Sequence, residues 1–139
     1  MKTIRKIFDF CASHTLFRPD WDEAKNRAVF GKCSNPNGHG HNYELQVIVS
    51  GEIDPETGMI IDASKIDKIV SELVIQEVDH KDLNRDVAWL DGIIPTAENF
   101  VDAIWQRIEV PLSDSAFNAR LEKLELWETR SICATRERI

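Results

Sequence analysis

The apolar pattern of the chain predicts an α+β domain: a four-stranded antiparallel sheet with two helices packed on one face. Three observations carry that expectation. Alternation at period two marks strands near residues 4–14, 43–50, 121–128 and 131–137. Helical spacing marks two amphipathic stretches between the second and third of them. Hairpin-like joins at both ends then give the order strand–strand–helix–helix–strand–strand. Such a sheet has edges to hide, and closing a larger sheet across several subunits is one physical answer.

In the first strand Phe8, Phe10, Ala12 and His14 fall on one face, and Ile7, Asp9, Cys11 and Ser13 on the other. Taken alone, His14 on an aromatic face reads as a hydrogen-bonded core histidine. Phe17 to Phe30 is polar and charged, and reads as a loop with room for a short helical turn over Trp21 to Arg27. A loop of that length in a small domain is uncommon unless it covers a site. Cys33-Ser-Asn-Pro-Asn-Gly-His-Gly-His-Asn-Tyr43 then runs directly into the second strand. His39 and His41 are two apart, so an extended chain points both imidazoles to one side, the side shared by Tyr43, Leu45, Val47 and Val49. Gly38 and Gly40 remove bulk beside them, letting the backbone pass close to whatever the rings hold. On its own this His-x-His admits two readings, a solvated loop or the start of a zinc site.

Asp54 to Gly58 is a turn by composition, and Met59-Ile60-Ile61 a short apolar piece after it. Ile66, Ile69, Val70, Leu73 and Val74 make the first amphipathic helix, with Asp62 or Ser64 available as its cap. A short charged segment, Val78 to Asn84, follows the helix exit. Thr96 is a suitable N-cap for the second helix, whose stripe is Ala97, Phe100, Val101, Ile104, Trp105 and Ile108, with Pro111 beyond its end. In the third strand Leu124, Leu126 and Glu128 share one face. A carboxylate at the end of an apolar face is expensive unless paired or hydrogen-bonded, which marks Glu128 for a function. Thr129-Arg130 turns the chain into the last strand, Ser131 to Glu137.

Residues 1–139 make one domain by size, and 42% hydrophobic with 29% charged residues suits a soluble globular protein with a real core. A net charge of −7 without any Lys/Arg run argues against nucleic acid and anionic membrane as partners. It does not exclude an anionic substrate held in a local basic pocket. Three cysteines without a CxxC pair fit a reducing compartment. The charged first ten residues do not read as a signal peptide, and no stretch approaches a membrane span, so the expected location is cytoplasmic.

Four histidines are present: His14, His39, His41 and His80. Three sit on inward strand faces, the number that a catalytic zinc uses while leaving a fourth position open. His80 follows Asp79, and such a pair can move protons near neutral pH. Cys33, beside Lys32, is the natural nucleophile or base. It reads equally as a fourth ligand of a closed structural zinc site, or as an inert thiol.

Phe10-Cys11-Ala12-Ser13-His14 and Phe30-Gly31-Lys32 through Tyr43 resemble the 6-pyruvoyltetrahydropterin synthase family. So do Gly51 through Met59, Asp79-His80-Lys81-Asp82-Leu83-Asn84, Pro95-Thr96-Ala97-Glu98-Asn99 and Trp127-Glu128-Thr129, in the family's order over nearly the whole chain. The resemblance implies the tunnelling fold, in which three subunits close their sheets into a barrel and two trimers stack into a homo-hexamer. It implies that His14, His39 and His41 hold zinc, and that Cys33 is the general base with Asp79 and His80 as relay partners. Glu128 would anchor the amino-pyrimidine edge of the pterin, with Thr96 and Glu98 near that pocket across a subunit boundary. The implied reaction is that of a carbon–oxygen lyase, converting 7,8-dihydroneopterin triphosphate to 6-pyruvoyltetrahydropterin with elimination of triphosphate.

Two positions depart from the family pattern. Thr15 stands where eukaryotic members usually carry a basic residue, and Ala134-Thr135-Arg136 where an aromatic is common. Within the family, five residues between Cys33 and His39 resemble the pyruvoyl type. The 6-carboxytetrahydropterin synthases of queuosine biosynthesis, which release acetaldehyde, commonly have a shorter gap. A zinc- or pterin-binding module without turnover is the alternative from another class. A metal-dependent hydrolase is weaker, since no HExxH is present.

Overall fold

The computed structural model describes residues 1–139. Strand β1 (Lys2–His14) pairs antiparallel with β2 (His39–Gly51) in an unbroken register from Lys2↔Gly51 to His14↔His39. Strand β2 in turn pairs with β4 (Arg120–Thr129), and β4 with β5 (Ile132–Glu137), both antiparallel. These are the four expected strands, each a little longer than its apolar alternation. A fifth corrects the count. β3 (Lys81–Asp82) lies parallel to β1 at the sheet edge, opposite Ala12 and Ser13, so the sheet is mixed with order β3-β1-β2-β4-β5. Two residues are too few to leave a periodic signature.

Helix α1 (Glu23–Phe30) extends the short helical turn expected over Trp21 to Arg27 within the 17–30 loop. It has no apolar stripe, and its buried residue is Asn26, whose amide accepts from Arg18 N at 2.8 Å and donates to Arg18 O at 3.0 Å. A side chain holding a loop, rather than a hydrophobic face, fixes this element. Helix α2 (Ala63–Val70) is capped by Asp62 and continues through a π-helical turn, Ser71–Ile75, into the short α3 (Gln76–Val78). Arg107 Nε donates to Leu73 O at 2.7 Å within that turn, supplying a partner to a carbonyl in the widened segment.

Helix α4 (Ala97–Asp114) is capped by Thr96, whose hydroxyl accepts from Asn99 N at 3.2 Å, worth about 1 kcal/mol. It does not stop before Pro111 as the sequence suggests. The fully buried Leu112 keeps the last turn packed, and tertiary burial overrides the local break. None of the helices is long and apolar enough to cross a membrane.

Helices α2 and α4 cover one face of the sheet. Ile66, Val70, Val74, Phe100, Ile104 and Ile108 pack there against Phe8, Phe10, Leu45, Val47, Leu124 and Leu126. The opposite face, with Cys11, Asn42, Glu44 and Trp127, carries no helix and opens into clefts. Chemistry sits on both faces at the β1–β2 end nearest the 15–38 connection.

Candidate functional site

The register of β1 against β2 assembles the first cluster. His14 stands opposite His39, and His41 opposite Ala12, so three imidazoles share the core face. His14 Nε2 lies 3.0 Å from His39 Nε2, and the ring centroids are 4.6 to 5.0 Å apart in all three pairings. The expectation that residue 14 meets residues 39 and 41 therefore holds in space. Gly38, at φ +73, makes the entry to β2 possible: a Cβ there would stand 3.1 Å from both His14 O and Thr15 Oγ1. The small residue is needed for this backbone approach to β1. At Gly40 a Cβ would meet Ala12 O at an ordinary 3.7 Å.

His14 is fully buried, and its Nδ1 donates to Pro95 O at 2.8 Å, which turns the lone pair of Nε2 toward the cluster. Desolvation by burial lowers its pKa to about 4, and burial also lowers that of His41. These rings are neutral at pH 7, the form that binds a cation. Glu128 closes the group: its Oε1 is 2.9 Å from His41 Nε2 and 3.5 Å from His14 Nε2.

Ligand atoms of His14, His39, His41 and Glu128 all lie within 4.8 Å of one another. Buried His39 Nδ1 and His41 Nε2 have no hydrogen-bond partner, although His41 is close to the carboxylate. Imidazoles with orphaned nitrogens beside a carboxylate fit a zinc ion better than they fit each other. The chain thus holds a buried His/Glu cluster able to bind a metal. The cost of its carboxylate marks Glu128 in the sequence, and the structure sets it beside the rings of His41 and His14.

The second group lies on the other face. Asp79 Oδ1 accepts from His80 Nδ1 at 3.0 Å and from Cys11 N at 3.0 Å, while His80 N donates to Cys11 O at 2.7 Å. His80 has φ +61, a left-handed conformation unusual for a residue with a side chain. The Cys11 N–H is the first cause holding the Asp79 carboxyl below its usual range. The thiol of Cys11 completes a cluster with this pair, again within 4.8 Å. Sequence reasoning passed over Cys11. Its outward place on β1 was visible, but the approach of residues 79–80 was not.

Cys33 belongs to neither cluster. It sits half-buried in a 3-10 turn, Gly31–Ser34, with its carbonyl accepting from Leu16 N at 2.8 Å just past the end of β1. One chain does not join it to Asp79 and His80. Thr96 lies next to Pro95, the residue that orients His14, and Glu98 is exposed in the first turn of α4. Thr15 is held by Asn84, which accepts from Thr15 N at 2.8 Å and donates to Thr15 O at 2.9 Å.

Comparison with known proteins agrees with this fold. The family model described as 6-pyruvoyl tetrahydropterin synthase matches residues 3–138. The 6-pyruvoyl tetrahydrobiopterin synthase of Pongo abelii is 40% identical over 126 residues, spanning 91% of this chain and 84% of that protein. Its Homo sapiens counterpart is 38% identical over the same spans. The solved structure of Caenorhabditis elegans 6-pyruvoyl tetrahydropterin synthase superimposes with a TM-score of 0.90 at 33% identity, covering 99% of this chain and 96% of that one.

Proposed function

Because the chain belongs to the 6-pyruvoyl tetrahydropterin synthase family, we propose that it converts 7,8-dihydroneopterin triphosphate to 6-pyruvoyltetrahydropterin, eliminating triphosphate. The observation that carries this reading is the convergence of His14, His39, His41 and Glu128 in one partly buried cluster, in which His39 Nδ1 and His41 Nε2 lack hydrogen-bond partners.

In this reading His14, His39 and His41 hold zinc. Such an ion supplies Lewis acidity, making protons of the bound side-chain hydroxyls and the adjacent carbon easier to remove. The protein does the rest. Pro95 O fixes the ring of His14 by holding its Nδ1–H. Glu128 accepts the N–H groups of the amino-pyrimidine edge once substrate arrives, with Thr96 and Glu98 bordering that pocket. Cys33 takes a carbon-bound proton from the side chain and the proton is returned to the ring, so the side-chain carbinol is oxidised as the dihydropterin is reduced. A further proton loss from the neighbouring carbon breaks the carbon–oxygen bond to triphosphate. Asp79 keeps His80 in register to carry a proton to or from the substrate oxygen.

Cys33 and the Asp79–His80 pair lie in separate places on one chain, so the relay is completed between copies. A homo-hexamer built from two trimers supplies such neighbours, and joins the open sheet edges at the same time. The reaction makes the protein a zinc-dependent carbon–oxygen lyase of tetrahydrobiopterin synthesis acting in the cytoplasm.

The product decides the matter. Incubation with 7,8-dihydroneopterin triphosphate, followed by mass analysis, is expected to give 6-pyruvoyltetrahydropterin and triphosphate. A 6-carboxy product with acetaldehyde would move the chain to the queuosine branch. Unchanged substrate would leave only a binding module.

A further inference from the structure

We propose that Cys11, Asp79 and His80 form a second, solvent-facing binding site for a borderline-soft divalent cation such as zinc, separate from the histidine cluster. A thiol sulfur, a carboxylate oxygen and a ring nitrogen lie there within 4.8 Å of one another. Cys11 and His14 are three apart on one strand, so they project to opposite faces and the two sites have the sheet between them.

The main chain pre-organises this site. Cys11 N–H binds Asp79 Oδ1 and Cys11 O receives His80 N–H, so the backbone of β1 clamps residues 79–80 on both sides. The left-handed φ of His80 turns its ring back over Asp79. The second carboxylate oxygen is left out of these bonds. Asp79 Oδ1 and His80 Nδ1 are 3.0 Å apart, close to the ~3.4 Å between two zinc ligands at tetrahedral angles and ~2.1 Å bond lengths. A small shift of one side chain would open that edge to an ion.

The donor set decides the class of ion. Sulfur, imidazole nitrogen and one carboxylate suit zinc and its neighbours, whereas magnesium and calcium prefer oxygen alone. Room for completing waters is present. Two clefts of about 820 and 530 Å³ are both lined by Cys11, Asn42 and His80, and the larger also by Asp9 and Glu44. An ion held here takes the lone pairs of the Asp79–His80 pair and withdraws it from proton transfer, so surplus metal becomes an inhibitor. That consequence rests on the relay described above; the binding itself does not.

Cobalt(II) added to the metal-stripped, full-length protein tests the site, because only a sulfur ligand gives a thiolate-to-cobalt absorption in the near ultraviolet, and the histidine cluster holds no sulfur. The expected result is two ions per chain by equilibrium dialysis, with that absorption present. Cys11→Ser should abolish the absorption and weaken the second equivalent at least tenfold while the first stays. Cys33→Ser and His14→Ala should each keep the absorption, the latter even if the histidine cluster has no role in turnover. No absorption in the unaltered protein, an absorption that survives Cys11→Ser, or one abolished by Cys33→Ser would overturn the proposal, whereas a single ion with a Cys11-dependent absorption would remove only the histidine cluster as a metal site.

Discussion

His14 and Cys11 stand three residues apart on β1, yet the first is sealed under the helices and the second opens onto a cleft. On the core side desolvation governs the chemistry: burial takes the His14 pKa down to about 4 and keeps the ring neutral. On the open side hydrogen bonds govern it. There the Cys11 N–H, before any charge, lowers the Asp79 carboxyl, and the Asp79–His80 pair stays in reach of solvent. Strand alternation alone therefore gives one segment two kinds of site, one suited to gripping a cation and one suited to moving protons.

Removing His14 is the largest perturbation of that contrast. His14→Ala deletes a buried ring and one of three imidazole donors, so metal affinity should fall by more than the ~10- to 100-fold typical of losing an outer-shell partner. Turnover should go with it, while the Asp79–His80 clamp, built on residue 11, stays intact. Metal content by mass spectrometry after dialysis checks this; full zinc occupancy in the variant would mean that His39, His41 and Glu128 suffice. Cys33→Ala should come next, with turnover down about 10²- to 10⁴-fold, the usual range for a positioned base, and zinc retained. Equal loss of zinc in Cys33→Ala would place that sulfur on the metal instead of the substrate.

Most of the core-side cluster was legible in the chain. Period-two spacing placed His14, His39 and His41 on inward faces, and the cost of a carboxylate after Leu124 and Leu126 marked Glu128. Its neighbours were not legible, since the position of Glu128 beside the rings depends on how β4 registers against β2. The outer cluster was half legible. Asp79-His80 stood out as a pair, but its partner Cys11 is 68 residues away, and no local pattern encodes that contact. Helix α1 was legible only as a short helical turn over Trp21 to Arg27, because its inward residue is polar Asn26, and β3 was not legible because two residues carry no period. Pro111 misled because a local break was weighed without the burial of Leu112.

A pH titration of the metal-free protein sharpens the contrast at an intermediate size. The folded pKa of His14 is lowered to about 4 from 6.5, so the unfolded chain binds a proton that the folded chain refuses. Stability from this group is complete above about pH 6.5 and falls as the pH drops toward 4, by about 3 kcal/mol in total. Urea midpoints for the parent and His14→Gln should diverge in their pH slopes between those limits. Parallel slopes would mean that the ring is not sealed in solution.

Cys11→Ser should change stability least, and the reason lies in which atoms do the holding. The contacts that fasten residues 79–80 to β1 use the amide and carbonyl of residue 11, both of which serine keeps. The sulfur faces a cleft and packs under no helix, so replacing it with oxygen removes little buried apolar area. A shift within about 0.5 kcal/mol in the urea midpoint is therefore expected, the ordinary size for a surface exchange. A serine on the opposite face, Ala12→Ser, adds a hydroxyl to the core beside Phe10 and should cost about 1–3 kcal/mol. If the two variants lost equal stability, the open face of β1 would have to be covered in solution.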